Sequence, residues 1–261
     1  MSTIAFDLFQ NFDARWTEVD LLLNMAKETE DINPKYRVLC RASIVLIVAN
    51  LEGFLNEVLK CIIKDINMND FFKHTSYRMK ETFCGQFIDI SDKGMSKKIH
   101  RLIETFDELH TQYTIEPFIY ENGKNPKASV IDKLFYEVGG KNFFGYITDC
   151  DIEKAFENDT DYNQNLINSM KEVLVNGTES FPYDIKLEQV PFNLENNSVN
   201  KECLWNTFVN ETLKARHTVA HGVSLEDTMT MEEILKTIEK VKIIELTFGL
   251  LICKKCISTQ R

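Results

Sequence analysis

Apolar residues recur every three or four positions along most of this chain, a spacing typical of amphipathic α-helices. Residues 3–30 carry one apolar face, which predicts a single long helix that stops near Asn33-Pro34. A second long helix is predicted over Lys35–Asn67, and its apolar residues run almost all round it. A helix that is apolar on every side is usually the central one of a bundle, packed against several neighbours.

The pattern is weaker in the middle of the chain. It predicts a helix over Ser96–Gln112, a shorter one over Ser129–Val138, and one or two helices over Asp151–Val175. Residues 177–200 contain two prolines and an asparagine-rich end, so they read as a long connection. Within it, Tyr183–Leu187 is a candidate for one short strand or part of a hairpin.

Helical spacing returns strongly near the end of the chain. One helix is predicted to run from about Leu204 to a stop at Gly222. The last helix follows a polar loop, and Thr230 with Glu233 forms a candidate capping box at its start. We therefore predict an all-α bundle in a single domain, residues 1–261. Its core helices cover about 3–66 and 200–255, and a long middle insertion covers about 68–198.

Composition agrees with a globular helical protein. The 261 residues include only 10 glycines and 5 prolines, 44% are hydrophobic and 27% are charged. Seven cysteines at irregular spacing are not a disulfide framework in a chain of this length, so we expect a reducing, cytoplasmic setting. We expect no signal peptide, because the N-terminus lacks a basic segment followed by an apolar core and a cleavage site. We also expect no membrane association, because the longest run of apolar or small residues, Ala42–Ala49, is too short to span a bilayer.

The charge balance limits how this protein could contact nucleic acid. Its net charge of −10 argues against a broad basic surface that coats RNA or DNA. Any RNA chemistry must therefore take place at a small site of local positive charge.

The strongest candidate for such a site is Leu213–Gly222, which reads L-K-A-R-H-T-V-A-H-G. His221 can accept or donate a proton near neutral pH, as general acid–base catalysis requires. Arg216 offers a permanent planar cation with paired donors that suit phosphate oxygens. RNA cleavage through a ribose 2′-hydroxyl needs a base, an acid and stabilisation of the charged phosphorane, so a two-fold dimer would supply two copies of each group.

These residues resemble the hallmark of the HEPN superfamily, R-x(4–6)-H with a polar residue after the arginine. Here the motif is Arg216-His217-Thr218-Val219-Ala220-His221, followed by Gly222. The segment Ser43–Lys60 is similar to an early helix of the larger HEPN branch that is linked to toxin and defence systems. Lys127–Gly140 is similar to that branch's short helix that ends in glycine. His217 stands where the family most often has asparagine.

The resemblance implies an all-α HEPN-like bundle that forms a homodimer and cleaves RNA without a metal or other cofactor. His221 would be the general acid and base, Arg216 would hold the scissile phosphate, and His217 would be an accessory donor or would only shape the groove. We assign Lys214 and Glu52 to substrate binding. The implied setting is a toxin with an antitoxin or regulatory protein partner, or an anti-phage effector. Because some family members have lost activity, the alternative is a non-catalytic interaction or ligand-binding module.

Other chemistry in the sequence has weaker support. His217 and His221 have zinc-ligand spacing, but the general base of H-E-x-x-H is missing and no third ligand is evident, so we predict no metal. Cys253-x-x-Cys256 lacks a second pair and reads as two thiols at a helix end. Glu52 interrupts an apolar helix, where it could pair with an arginine, orient a site histidine or face solvent. The basic residues at 97–101 could guide RNA or form a solvated helix face.

Overall fold

A computed structural model describes residues 2–29, 34–89, 94–119, 126–195, 203–221 and 229–257. Within these ranges the chain forms nine α-helices and no β-strand, which confirms the all-α prediction. The helices are Ile4–Gln10 (α1), Thr17–Lys27 (α2), Pro34–Met68 (α3), Tyr77–Gly85 (α4), Met95–Glu108 (α5), Ala128–Glu137 (α6), Thr160–Thr178 (α7), Leu204–Ala220 (α8) and Met231–Lys255 (α9).

The α3 helix is central, as its sequence predicts. It starts at Pro34, a residue preorganised for the first helical position, and continues for 35 residues. Helices α1, α2, α8 and α9 all pack against it. By length and composition alone α3 could also cross a membrane, although half of its most apolar 18-residue window is buried against other parts of this chain.

The prediction of one helix over residues 3–30 is wrong. The chain forms α1 and α2, with a 3₁₀ turn over Phe12–Trp16 between them. Two asparagine side chains account for the break. Asn11 donates from Nδ2 to the Asp7 carbonyl at the end of α1, and Asn50 of α3 donates from Nδ2 to the Arg15 carbonyl within the turn.

The short strand predicted over Tyr183–Leu187 is also wrong. The Asp184 N–H donates to the Gly177 carbonyl at the end of α7, at 2.8 Å, and Lys254 Nζ donates to the Ile185 carbonyl at 3.0 Å. Ile185 is completely buried and packs against Gly177. The contact is so close that a Cβ atom added to Gly177 would lie 2.6 Å from Ile185 Cδ1. The segment therefore packs closely on a helix end instead of pairing with another strand.

The remaining helices complete the bundle. The α7 helix lies within the predicted insertion, yet it packs against α9 and α1, so this middle region contributes a helix to the core. The predicted capping box at the start of α9 is confirmed. Thr230 Oγ1 accepts from the Glu233 N–H, and the Glu233 carboxylate accepts from the Thr230 N–H at 2.7 Å.

A carboxyl group is buried in the middle of α9. Glu245 has no exposed surface, and neither of its carboxylate oxygens has a hydrogen-bond partner among the described residues. Burial raises the pKa of Glu245 from its ordinary 4.5 to about 8, although the nearby charges of Arg15 and Lys242 oppose this shift. The folded protein thus holds this proton at pH values where the unfolded chain releases it.

This difference predicts a pH-dependent loss of stability. As pH rises from about 4.5 to about 8, the unfolded state deprotonates Glu245 first, so its contribution to the free energy of unfolding falls by on the order of a few kcal/mol. Glu245→Gln keeps the shape and removes the titration. In thermal melts between these pH values, the melting temperature of the variant should fall less than that of the parent. Parallel curves for the two proteins would contradict this explanation.

Candidate functional site

The motif lies on the last two turns of α8. The helix starts after Cys203, whose Sγ accepts from the Asn206 N–H at 3.3 Å. Trp205, Val209 and Leu213 are buried at four-residue spacing, which fixes the face of α8 that packs into the bundle. Residues on the opposite side of the last turns are therefore turned towards solvent.

Both motif histidines are exposed and close together. Their ring centroids are 4.1 Å apart, with the ring planes tilted by 47°. His221 is the C-cap residue of α8, and its N–H donates to the His217 carbonyl at 3.0 Å. Arg216 is half-buried on the neighbouring face. Arg216, His217 and His221 thus all lie in the last two turns of α8, with the two histidine rings side by side.

Arg41 of α3 holds this helix end. One of its guanidinium nitrogens donates to the Val219 carbonyl at 3.3 Å. Val219 has one of the last carbonyls of α8, which lack a donor four residues later within the helix; besides the His221 N–H it accepts from this guanidinium, which ties α8 to α3. Local sequence analysis could not assign this role, because 178 residues separate the two partners. The only sequence feature that singles out Arg41 is its position immediately before the apolar run Ala42–Ala49.

Two hollows flank the exposed part of α8, and Lys214 lines both of them. The first, of about 420 Å³, lies towards α3 and α9, and its lining includes Glu211 and Glu233. The second, of about 640 Å³, lies towards α6. Its described lining residues are Lys127, Ser129, Asn210, Leu213, Lys214 and His217. Lys214 therefore lies beside the motif, where a substrate-binding residue is needed.

Glu52 is not brought to this site. It lies eleven residues after Arg41 on α3, a separation of about 16 Å along the helix axis. Among the described residues Glu52 has no ion pair, and the nearby arginine of the first segment, Arg15, pairs with Glu57 instead. We therefore give Glu52 no further role in substrate binding.

The structure also shows where the remaining candidates lie. Cys253 and Cys256 are buried, and burial raises the pKa of both thiols, that of Cys256 to about 12. In the part of the chain that the structure describes, no three His, Cys, Asp or Glu side chains are grouped to hold a metal ion. The basic residues Lys97, Lys98 and Arg101 are exposed on α5. Gly222, the predicted stop of α8, lies outside the described residues.

Comparison with known proteins gives one assignment. No curated protein and no solved structure matches this chain. The model of the RiboL-PSP-HEPN family matches residues 10–252, a range that includes α2 to α8, most of α9 and the whole R-x4-H motif. Because this match covers more than nine-tenths of the sequence and agrees with the all-α fold, the chain belongs to the RiboL-PSP-HEPN family.

Proposed function

We propose that this protein is a metal-independent endoribonuclease that cleaves RNA by attack of a ribose 2′-hydroxyl. One observation carries the proposal: the exposed rings of His217 and His221 lie 4.1 Å apart at the end of α8, in the same last turns as Arg216 and next to two hollows. Membership in a HEPN family points to an RNase-type function and supports it. The histidines offer acid–base chemistry and the arginine offers charge, and both are needed at a scissile phosphate.

In the proposed reaction a base removes the proton of the 2′-hydroxyl, and the 2′-oxygen forms a bond to phosphorus. The bond from phosphorus to the 5′-oxygen of the next nucleotide breaks, and an acid protonates that leaving oxygen. The products are a 2′,3′-cyclic phosphate, or the 3′-phosphate formed by its hydrolysis, and a 5′-hydroxyl. Arg216 would neutralise the charge that builds on the phosphate oxygens during this exchange.

One copy of the chain does not provide all of these groups in a suitable arrangement. The attacking and leaving oxygens lie on opposite sides of the phosphorus in an in-line displacement. His217 and His221 have ring centroids only 4.1 Å apart and belong to one helix end, so both approach from the same side. A two-fold homodimer that pairs the ends of two α8 helices would place one His221 on each side. His217 is then an accessory donor to the phosphate.

The proposed setting is cytoplasmic. A nuclease with a net charge of −10 cannot rely on broad attraction to RNA, so its substrate must be held locally near Arg216 and Lys214. Such an enzyme suits a toxin or anti-phage effector whose activity is controlled by an antitoxin or another protein partner.

Removal of His221 tests the chemistry. With labelled RNA in EDTA, the parent should cleave and leave 2′,3′-cyclic phosphate ends, and His221→Ala should be at least about 100-fold slower. Arg216→Ala should also be strongly impaired. His74→Ala, which removes an exposed histidine in the 3₁₀ turn Phe72–His74, is the matched control and should cleave normally.

Two results would contradict this chemistry. Cleavage that EDTA abolishes would show that the reaction needs a metal, and equal cleavage by the parent and His221→Ala would place the activity elsewhere. If several RNAs are left intact by the folded, dimeric parent, the alternative of a non-catalytic interaction module is favoured.

A mixed dimer tests whether the site is shared. Co-expression with two different affinity tags would isolate dimers with one intact His221 and one His221→Ala subunit. A shared site loses either its base or its acid in this dimer, so activity should fall far below half of the parent value. Two independent sites would leave about half of the parent activity, because each twofold-related subunit would then act alone.

Replacement of Arg41 tests whether its hydrogen bond to Val219 positions the motif. Arg41→Met keeps an apolar stem but removes the hydrogen bond to Val219, worth about 1.4 kcal/mol, so the last turn of α8 should be held less firmly and cleavage should slow by up to about tenfold. Arg41→Lys retains a donor and should recover part of the rate. The control is Arg37→Met, one turn earlier on the exposed side of α3. Full activity of Arg41→Met would contradict a positioning role.

A further inference from the structure

We propose that the hollow between α6 and α8 binds a second phosphate of the RNA, adjacent to the one that is cleaved. It is called here the α6 groove and is lined by Lys127, Ser129, Asn210, Leu213, Lys214 and His217. The ligand class is a phosphodiester of single-stranded RNA. This inference rests on the proposed function, since it assigns a place to the strand that passes the motif.

The charges of the α6 groove distinguish it from its neighbour. The hollow on the other side of α8 includes the carboxylates of Glu211 and Glu233 in its lining, and these would repel a phosphate. None of the described residues that line the α6 groove is acidic, whereas Lys127 and Lys214 are both cationic. In a protein with a net charge of −10, this local balance favours an anionic ligand.

A hydrogen bond links the two walls of the groove. The Ala128 N–H, at the start of α6, donates to Asn210 Oδ1 of α8 at 3.4 Å. Because this bond uses Oδ1 of Asn210, the Nδ2 group of the same side chain can donate to a ligand. Ser129 is exposed beside it and adds a hydroxyl, and the first turn of α6 adds the positive end of a helix dipole. Two cations and several neutral donors thus converge on one hollow.

The position of the groove indicates which phosphate it takes. His217 lines the groove and also has its ring 4.1 Å from that of His221, so the groove adjoins the proposed catalytic end of α8. The scissile phosphate is assigned to Arg216 and His221. A strand held there continues past His217 to Lys214 and Lys127, where its next phosphate would be neutralised. The motif indicates Lys214 from the sequence, and Asn210 lies one turn before it on α8, whereas Lys127 and Ser129 reach the groove only through the packing of α6 on α8.

The test measures binding apart from cleavage. A fluorescently labelled 2′-O-methyl RNA, which cannot be cleaved by 2′-hydroxyl attack, is titrated with the full chain at several salt concentrations. Loss of one phosphate contact should lower the slope of log affinity against log salt by about 0.7 and weaken binding at low salt. Lys127→Ala should show both changes, and Lys127→Arg should show neither. Lys60→Ala, the same charge loss at an exposed position on α3, should match the parent.

The outcomes separate this inference from the proposed nuclease. If Lys127→Ala, folded as judged by its melting temperature, binds with the same slope as Lys60→Ala, the α6 groove is not a phosphate site, even when the parent cleaves RNA. The same conclusion follows if the parent does not bind the oligonucleotide. If Lys127→Ala loses slope and affinity while the parent cleaves no RNA, the groove is a phosphate site and the nuclease proposal is the one that fails.

Discussion

The structure depends on one constraint: α3 carries apolar side chains on most of its faces, and these must be covered while one stripe that includes Lys60 stays exposed. Each large aliphatic or aromatic side chain removed from water contributes roughly 1.5–3 kcal/mol, so an uncovered face of α3 would carry a large cost. Helices α1, α2, α8 and α9 provide the cover. The position of α8, and with it the motif, follows from this requirement, because Trp205, Val209 and Leu213 are part of that buried layer.

The candidate site lies where this buried layer ends. Leu213 is the last fully packed residue of the stripe on α8; Arg216 is half-buried, and His217 and His221 are exposed. These three side chains therefore lie on a helix that is anchored in the core but outside the core themselves, and the hydrogen bond from Arg41 ties the final turn to α3. This arrangement suits groups that act on a ligand held between two surfaces, as a shared dimer site requires.

Much of the fold can be predicted from local patterns. The predicted helix Lys35–Asn67 differs by one residue at each end from the observed Pro34–Met68, and the capping box of Thr230 and Glu233 is where the spacing places it. Periodicity and capping work here because they depend on residues within one or two turns of each other. The motif itself was found for the same reason, since Arg216 and His221 are near neighbours in sequence.

The wrong predictions concern features that depend on residues far apart in sequence. The break at Asn11 is supported by Asn50, and the segment at Ile185 is held by Lys254, so a distant residue decides the local conformation in both cases. Arg41 and Lys127 likewise join the site only through tertiary packing. Glu52 was assigned because a polar residue in an apolar helix is conspicuous, but the sequence does not tell which neighbour such a residue faces.

The most direct measurement is a crystal structure of the protein with an RNA whose 2′-hydroxyl groups are methylated. The account predicts two copies related by a two-fold axis, with one phosphate between the two Arg216 side chains. A His221 ring should lie on each side of that phosphate, about 3 Å from the oxygens that exchange protons. A dimer in which the two α8 ends point apart, or RNA bound away from Arg216, would contradict the central claim of a shared catalytic site.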